Sequence, residues 1–212
     1  MSKIVQVVGK AMYLPGKNID TDRIIPARFL KCVTFVGIEE HLFADERTKV
    51  RSEGKVHPFD DPQNGGAVIL IVDSNFGCGS SREHAVQCIM RWGIKAIVSC
   101  AEPGSPGFAD IFRGNSAANG IPCVELDLIN HARLVARSVA GLECLKVDLD
   151  RSAILLAAPP VDEWDTIPFT MREDHRQSLI AGTWDTTSVL LEAGEAIEAT
   201  ARSLPYLSPA FL

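Results

Sequence analysis

Residues 67–126 constrain the fold more than any other stretch, because short apolar runs alternate there with segments of helical period. Ala67-Val68-Ile69-Leu70-Ile71-Val72 is apolar at every position, the pattern of a strand buried on both faces. A tight Gly77-Cys78-Gly79 turn follows. From Arg82 to Trp92 apolar residues recur at 85, 88, 89 and 92, a helical spacing that Gly93 can terminate. Ala96-Ile97-Val98 reads as the next strand. Phe108 to Asn119 reads as a second helix, with Phe108, Ile111 and Phe112 on one side. Ser105-Pro106 supplies its N-cap and first helical residue, and Gly120 its end. Ile121 to Leu126 is a third strand. This order implies an α/β fold of parallel strands joined by right-handed crossovers. The loops at 73–81 and 99–107 then open on the same carboxyl edge, where open α/β sheets bind ligands.

The remaining chain is read more coarsely. With 212 residues and 46% hydrophobic content, it can fill one core, so a single unit spanning 1–212 is expected. Val5 to Val8, Leu145 to Leu149 and Ala153 to Ala157 are further strand candidates. Residues 28–66 are mixed in character and rich in turn signals, which suggests a flexible flap or substrate loop. Ser188 to Ser203 reads as an amphipathic helix weakened at Gly194, making 186–212 a C-terminal helix and tail. A net charge of −6 without a Lys/Arg cluster argues against nucleic acid as a partner. Gln6, Gly9 and Lys10 interrupt the first apolar run, so neither a signal peptide nor a membrane span is expected. None of the six cysteines forms a C-x-x-C pair, which argues against a zinc site. Cys88 and Cys100 lie in apolar runs and read as reduced core residues, as in a cytoplasmic protein.

The chemistry-bearing segment is Asn75-Phe76-Gly77-Cys78-Gly79-Ser80-Ser81-Arg82-Glu83-His84-Ala85. A strand-to-helix turn offers free backbone N–H groups and a helix dipole, both of which favour an anion. Gly77 and Gly79 permit positive φ there, and Arg82 adds a donor fork suited to a carboxylate. Ser80 and Glu83 also match the S-x-x-E capping box, so Ser80 as a plain helix cap is the competing reading. A dinucleotide fingerprint would need a third glycine where Arg82 stands, and P-loop and nucleophile-elbow strings are absent. Cys78 as a nucleophile lacks a motif that pairs it with a base. Asn18-Ile19-Asp20-Thr21-Asp22-Arg23 is a second candidate; its acidic and hydroxyl groups could orient a substrate or Arg82, or merely cap a turn. His41, His57, His131 and His175 show no metal-ligand spacing and read as structural, whereas His84 lies inside the informative turn.

"NIDTDRIIPARFL" at 18–30 and "NFGCGSSREHA" at 75–85 together resemble the small subunits of 3-isopropylmalate dehydratases, in the aconitase superfamily. The similarity continues through "GFADIFRGNSAANGIPC" at 107–123 and, more weakly, "TWDTTSVLLEAGEAIEATARSLPYL". That resemblance implies a swivelling β/β/α domain like the last domain of aconitase. It implies dehydration and rehydration of a small hydroxy-dicarboxylate. A [4Fe–4S] cluster would sit on a separate large subunit, with no metal bound by this chain. Carried over by motif, Ser80 looks like the general base. Arg82 and Ser81 would bind substrate together with Asp20, Thr21 and Asp22. Gly77, Cys78 and Gly79 would form the anion-binding turn, and Glu83 and His84 would support it. Two departures stand out. Many relatives carry Thr-Arg-Thr-Gly where this chain has Val33-Thr34-Phe35-Val36-Gly37, a loop that in the family selects the substrate side group. The loop Ala101 to Gly107 is also a few residues longer. The substrate alternatives are citraconate/2-methylmalate, dimethylmalate and homoaconitate. The class alternatives are a non-catalytic partner-binding module and a thiol enzyme using Cys78.

Overall fold

A computed structural model gives the architecture and describes residues 3–31, 34–80, 82–141, 144–157, 164–204 and 206. The first half runs β1 (Gln6–Gly9), β2 (Ala11–Leu14), α1 (Thr21–Ile24), α2 (Ala44–Ser52), β3 (Ile69–Val72), α3 (Glu83–Trp92), β4 (Ala96–Cys100) and α4 (Asp110–Ala118). The second half runs β5 (Cys123–Leu126), α5 (Leu128–Val139), β6 (Leu145–Asp148), β7 (Ala153–Ala157), β8 (Trp164–Pro168), α6 (Glu173–Ala181), α7 (Thr186–Glu192) and α8 (Gly194–Ser203).

Two four-stranded sheets result. One has the order β2-β3-β4-β5 and is parallel throughout. The other has the order β1-β6-β7-β8 and is antiparallel throughout. The chain passes from one sheet to the other at Gly9, where φ is +154° and a Cβ would stand 2.5 Å from Val68 Cγ2.

Strand β3 is apolar at every position, and its neighbours at most of theirs, because successive residues serve different cores. Leu70, Val72 and Ile97 pack with Val86 and Ile89 of α3, Phe112 of α4, and Ile24, Leu42 and Phe43. Ile69, Ile71 and Val98 pack instead with Leu145, Val147, Ile154 and Ile167 of the antiparallel sheet and with Leu134 of α5. The layers are therefore antiparallel sheet, parallel sheet and a helical layer that includes α3 and α4, the expected β/β/α order, with Leu134 of α5 and Leu179 of α6 joining the inter-sheet cluster. Each fully buried Leu or Ile contributes about 2 kcal/mol of transfer free energy to these clusters.

Three local readings are corrected. The second helix starts at Asp110 with Ala109 as N-cap, not at Ser105-Pro106. Glu102 and Ser105 instead exchange backbone bonds of 2.9 Å, and the Pro106 carbonyl accepts from Asn75 N–H at 2.7 Å. The single helix expected over Ser188–Ser203 divides at Ala193 into α7 and α8, beside the weak Gly194. Segment 28–66 contains α2, which the sequence did not reveal. Arg47 anchors it, its Nε donating to Asp60 Oδ1 at 2.9 Å and its Nη1 to the Leu42 carbonyl at 3.2 Å.

Candidate active site

β3 and β4 end side by side, and the loops that follow are stitched together there. The buried Ser99 Oγ lies 2.8 Å from both the Asp73 and Gly107 carbonyl oxygens. The Asp73 carboxylate accepts from Tyr13 O–H at 3.0 and 3.1 Å and from Gly16 N–H at 2.7 Å, which draws the chain after β2 to the same edge. Burial and then the Asp73 hydrogen bond push the Tyr13 hydroxyl up to about 12, so it stays a donor. Backbone bonds complete the seam. Phe76 N–H donates to Gly107 O at 3.0 Å, Gly77 N–H to Ile19 O at 2.8 Å and Thr21 N–H to Cys78 O at 2.9 Å.

The two sequence candidates meet on this seam. Asp20 caps α1, its Oδ1 accepting from Arg23 N–H at 2.8 Å, so the local-cap reading holds for that residue. Thr21 is buried, and its Oγ1 donates to the Ser80 carbonyl at 2.8 Å. Asp22 pairs with Arg82 Nη1. Gly77 and Gly79 have φ of +74° and +87°, as the turn requires. A cleft of about 210 Å³ opens between Thr21, Gly77, Gly79, Ser80 and Arg82 on one side and Ala109 to Phe112 on the other. The N-termini of α3 and α4 both border it, each contributing a partial positive charge. Ser81 lies outside the described residues.

The capping box does not form. The N-cap of α3 is Arg82, without a side-chain cap bond, and Ser80 stands before the helix with its side chain exposed. Glu83 Oε1 instead accepts from Gln87 Nε2 at 3.3 Å and from Asn119 Nδ2 at 3.4 Å, bracing α3 against the end of α4. The His84 ring meets Phe35 edge-on at 5.1 Å, which places the 34–37 loop at the head of α3. Burial, followed by the Asp20 charge, raises the Cys78 thiol above its ordinary value, the opposite of what a nucleophilic thiolate needs.

Three of the other histidines make structural contacts. His131 Nε2 lies 2.8 Å from the Val72 carbonyl, His57 Nδ1 accepts from Phe59 N–H at 3.3 Å, and His41 stacks on Phe29 at 3.8 Å. Ser99, Tyr13 and Asp73 shape the edge yet escaped the sequence reading, because no local motif marks a residue whose hydrogen-bond partners are distant in the chain. Among the described residues no group of three or more His, Cys, Asp or Glu is placed to hold a metal ion. The described cysteines are free and scattered, and burial pushes Cys88 and Cys123 up to about 12 and Cys100 to about 11. Scattered in this way, they do not offer the converging set of thiolates an iron–sulfur cluster needs.

Comparison with known proteins first sets the class: the Aconitase C-terminal domain model matches residues 1–128. The 3-isopropylmalate dehydratase small subunit of Synechocystis sp. is 45% identical over 210 residues, covering 98% of this chain and 96% of that one. Its counterpart in Thermus thermophilus is 44% identical over 207 residues, covering 97% of each. A crystal structure of 3-isopropylmalate dehydratase from Methanocaldococcus jannaschii shares the fold, with a TM-score of 0.57 and 24% identity over 90% of this chain and 99% of that one. The chain belongs to the 3-isopropylmalate dehydratase small-subunit family of the aconitase superfamily.

Proposed function

We propose that this chain is the small subunit of a hydro-lyase that isomerises 2-isopropylmalate to 3-isopropylmalate, a step of leucine biosynthesis. One observation carries the reading: Ser80, Arg82 and two helix N-termini border one cleft, and Thr21 and Asp22 brace it. Arg82 clamps a substrate carboxylate, with Asp22 holding the guanidinium in place beforehand. Ser80 removes the proton next to a carboxylate. Its hydroxyl is not consumed by a helix cap, and Thr21 holds its backbone from below. A serine alkoxide is costly in water, so the α3 N-terminus and the Cys78 and Gly79 amides must stabilise it, the Gly77 N–H expected in this turn being taken by the Ile19 carbonyl. Ser81 adds a hydrogen bond to substrate, Asp20 fixes the turn that presents Thr21 and Asp22, and Glu83 and His84 support the helix head. Rehydration on the neighbouring carbon then completes the isomerisation.

The chain acts as one unit over 1–212, in a hetero-oligomer with a large subunit. A [4Fe–4S] cluster on that subunit supplies the Lewis acid for the departing hydroxyl. The apolar Phe35, in the loop at the head of α3, suits an isopropyl side group. Free, buried thiols agree with a cytoplasmic setting. Among the described residues no helix is long and apolar enough to cross a membrane.

The test is anaerobic reconstitution with a cluster-bearing large subunit. Turnover should favour 2-isopropylmalate over 2-methylmalate, dimethylmalate and homoaconitate. Ser80→Ala should lower kcat by about 10³-fold with little change in KM, the range for loss of a general base. Equal rates on all substrates would remove the isopropylmalate assignment. Full activity of Ser80→Ala would leave a non-catalytic partner-binding module.

A further inference from the structure

Two asparagines on facing loops adopt the left-handed conformation, Asn18 at φ +55° and Asn75 at φ +59°. Their side chains are joined, Asn75 Nδ2 donating to Asn18 Oδ1 at 2.8 Å. Few non-glycine residues enter this region, and asparagine does so more readily than most. Asn18 stands just before Asp20-Thr21-Asp22, and Asn75 just before Gly77 to Arg82. The backbone continues the link: Asn18 N–H donates to Ser74 O at 3.0 Å and Asn75 N–H to Pro106 O at 2.7 Å. The pair therefore sits where all three cleft-forming segments meet. Neither asparagine lines the cleft. The bond is exposed, so it adds little to global stability; its place in the fold gives it a role.

We propose that the Asn18–Asn75 bond is a positioning clasp for the hydro-lyase reaction, an inference that rests on the function proposed above. It sets the 18–22 segment against the 75–82 turn. It thereby aligns Thr21 beneath the Ser80 carbonyl and Asp22 on Arg82. Misplacing reacting groups by about 1 Å costs on the order of 10²-fold in rate, so a modest shift of this register is readable in kinetics.

Glycine at either position keeps positive φ and deletes the amide, whereas Asn18→Asp keeps the acceptor. In the isolated full chain, Asn18→Gly and Asn75→Gly should lower amide protection at Thr21 and Gly77 by about tenfold, with β3 and β4 unchanged. In the assembled enzyme each should lower kcat by about tenfold with KM nearly constant, and the double variant should be no worse than either single one. Asn18→Asp should stay within about threefold of wild type. Unaltered protection at Thr21 and Gly77, or fully additive kinetic losses, would overturn the clasp. A wild-type pair inactive on 2-isopropylmalate would overturn the functional reading and the reaction role with it, even where exchange shows the clasp in place.

Discussion

Gly77 and Gly79 flank Cys78 with φ of the same sign, yet a methyl group would meet different surroundings at each. A Cβ on Gly77 would lie 2.2 Å from Phe112 Cγ, inside a ring that is itself buried against Phe76 and Phe108. A Cβ on Gly79 would approach nothing closer than Asp20 Cβ at 3.3 Å, with Thr21 Oγ1 at 3.8 Å. Gly77→Ala adds overpacking to the left-handed penalty and should cost about 3 kcal/mol or more, whereas Gly79→Ala should cost about 1–2 kcal/mol. Urea denaturation of the two variants measures the difference. Equal losses would mean that Phe112 does not limit the turn. The same contact ties function to packing, since Phe112 also lines the cleft. At this scale the site was readable wherever a residue's role is local. Gly77, Gly79 and Arg82 stood out through turn and anion chemistry. Ser99 did not, because its hydroxyl acts only once β4 has set it between two carbonyls 26 and 8 positions away.

Helix α2 depends on two carboxylates outside its own packing face, as none of its residues is buried. The Arg47 hydrogen bond holds the Asp60 carboxyl below its ordinary range, against the opposing effect of burial. Burial pushes Glu46 up, but the combined pull of His57 and Arg23 outweighs it and leaves the group lowered. Both folded-state values lie below the unfolded ones. Their stabilisation is therefore complete above about pH 4.5 and is lost as pH falls through the lowered values. Amide protection in α2 should decline on acidification before that of β3 and β4. Asp60→Asn should reproduce the loss at neutral pH, at about 1–2 kcal/mol. Protection in α2 that stays constant from neutral to acid pH would contradict this anchoring. The elements that sequence revealed and those it hid differ in a consistent way. β3 is buried on both faces and its apolar run is unbroken, and β4 and β5 are interrupted only at Ser99 and Glu125. β8 is an edge strand that mixes Trp164, Asp165 and Thr166 and ends on Pro168, so it carries no periodic signal. α2 is polar all round and is held by ion pairs formed across sequence gaps, which no local pattern encodes.

The parallel sheet is common to both apolar clusters, and this sets how the whole molecule should unfold. Leu70 and Ile71 are adjacent in β3 and both fully buried, yet Leu70 belongs to the helical side and Ile71 to the side facing the antiparallel sheet. If the layers formed separate units, damage to one side would leave the other to melt on its own. A shared strand forbids that, because neither cluster can keep its wall once β3 is lost. Leu70→Ala and Ile71→Ala should each cost about 2–5 kcal/mol, the range for emptying a buried aliphatic site. Both should move one and the same calorimetric transition to lower temperature, with van't Hoff and calorimetric enthalpies in agreement. Two resolved transitions, each answering to only one substitution, would divide the chain and end its description as one unit. The site sits on the carboxyl edge of this shared sheet, so the cleft should disappear in that same transition, and no state that has lost protection at β3 should retain it at Thr21 and Gly77.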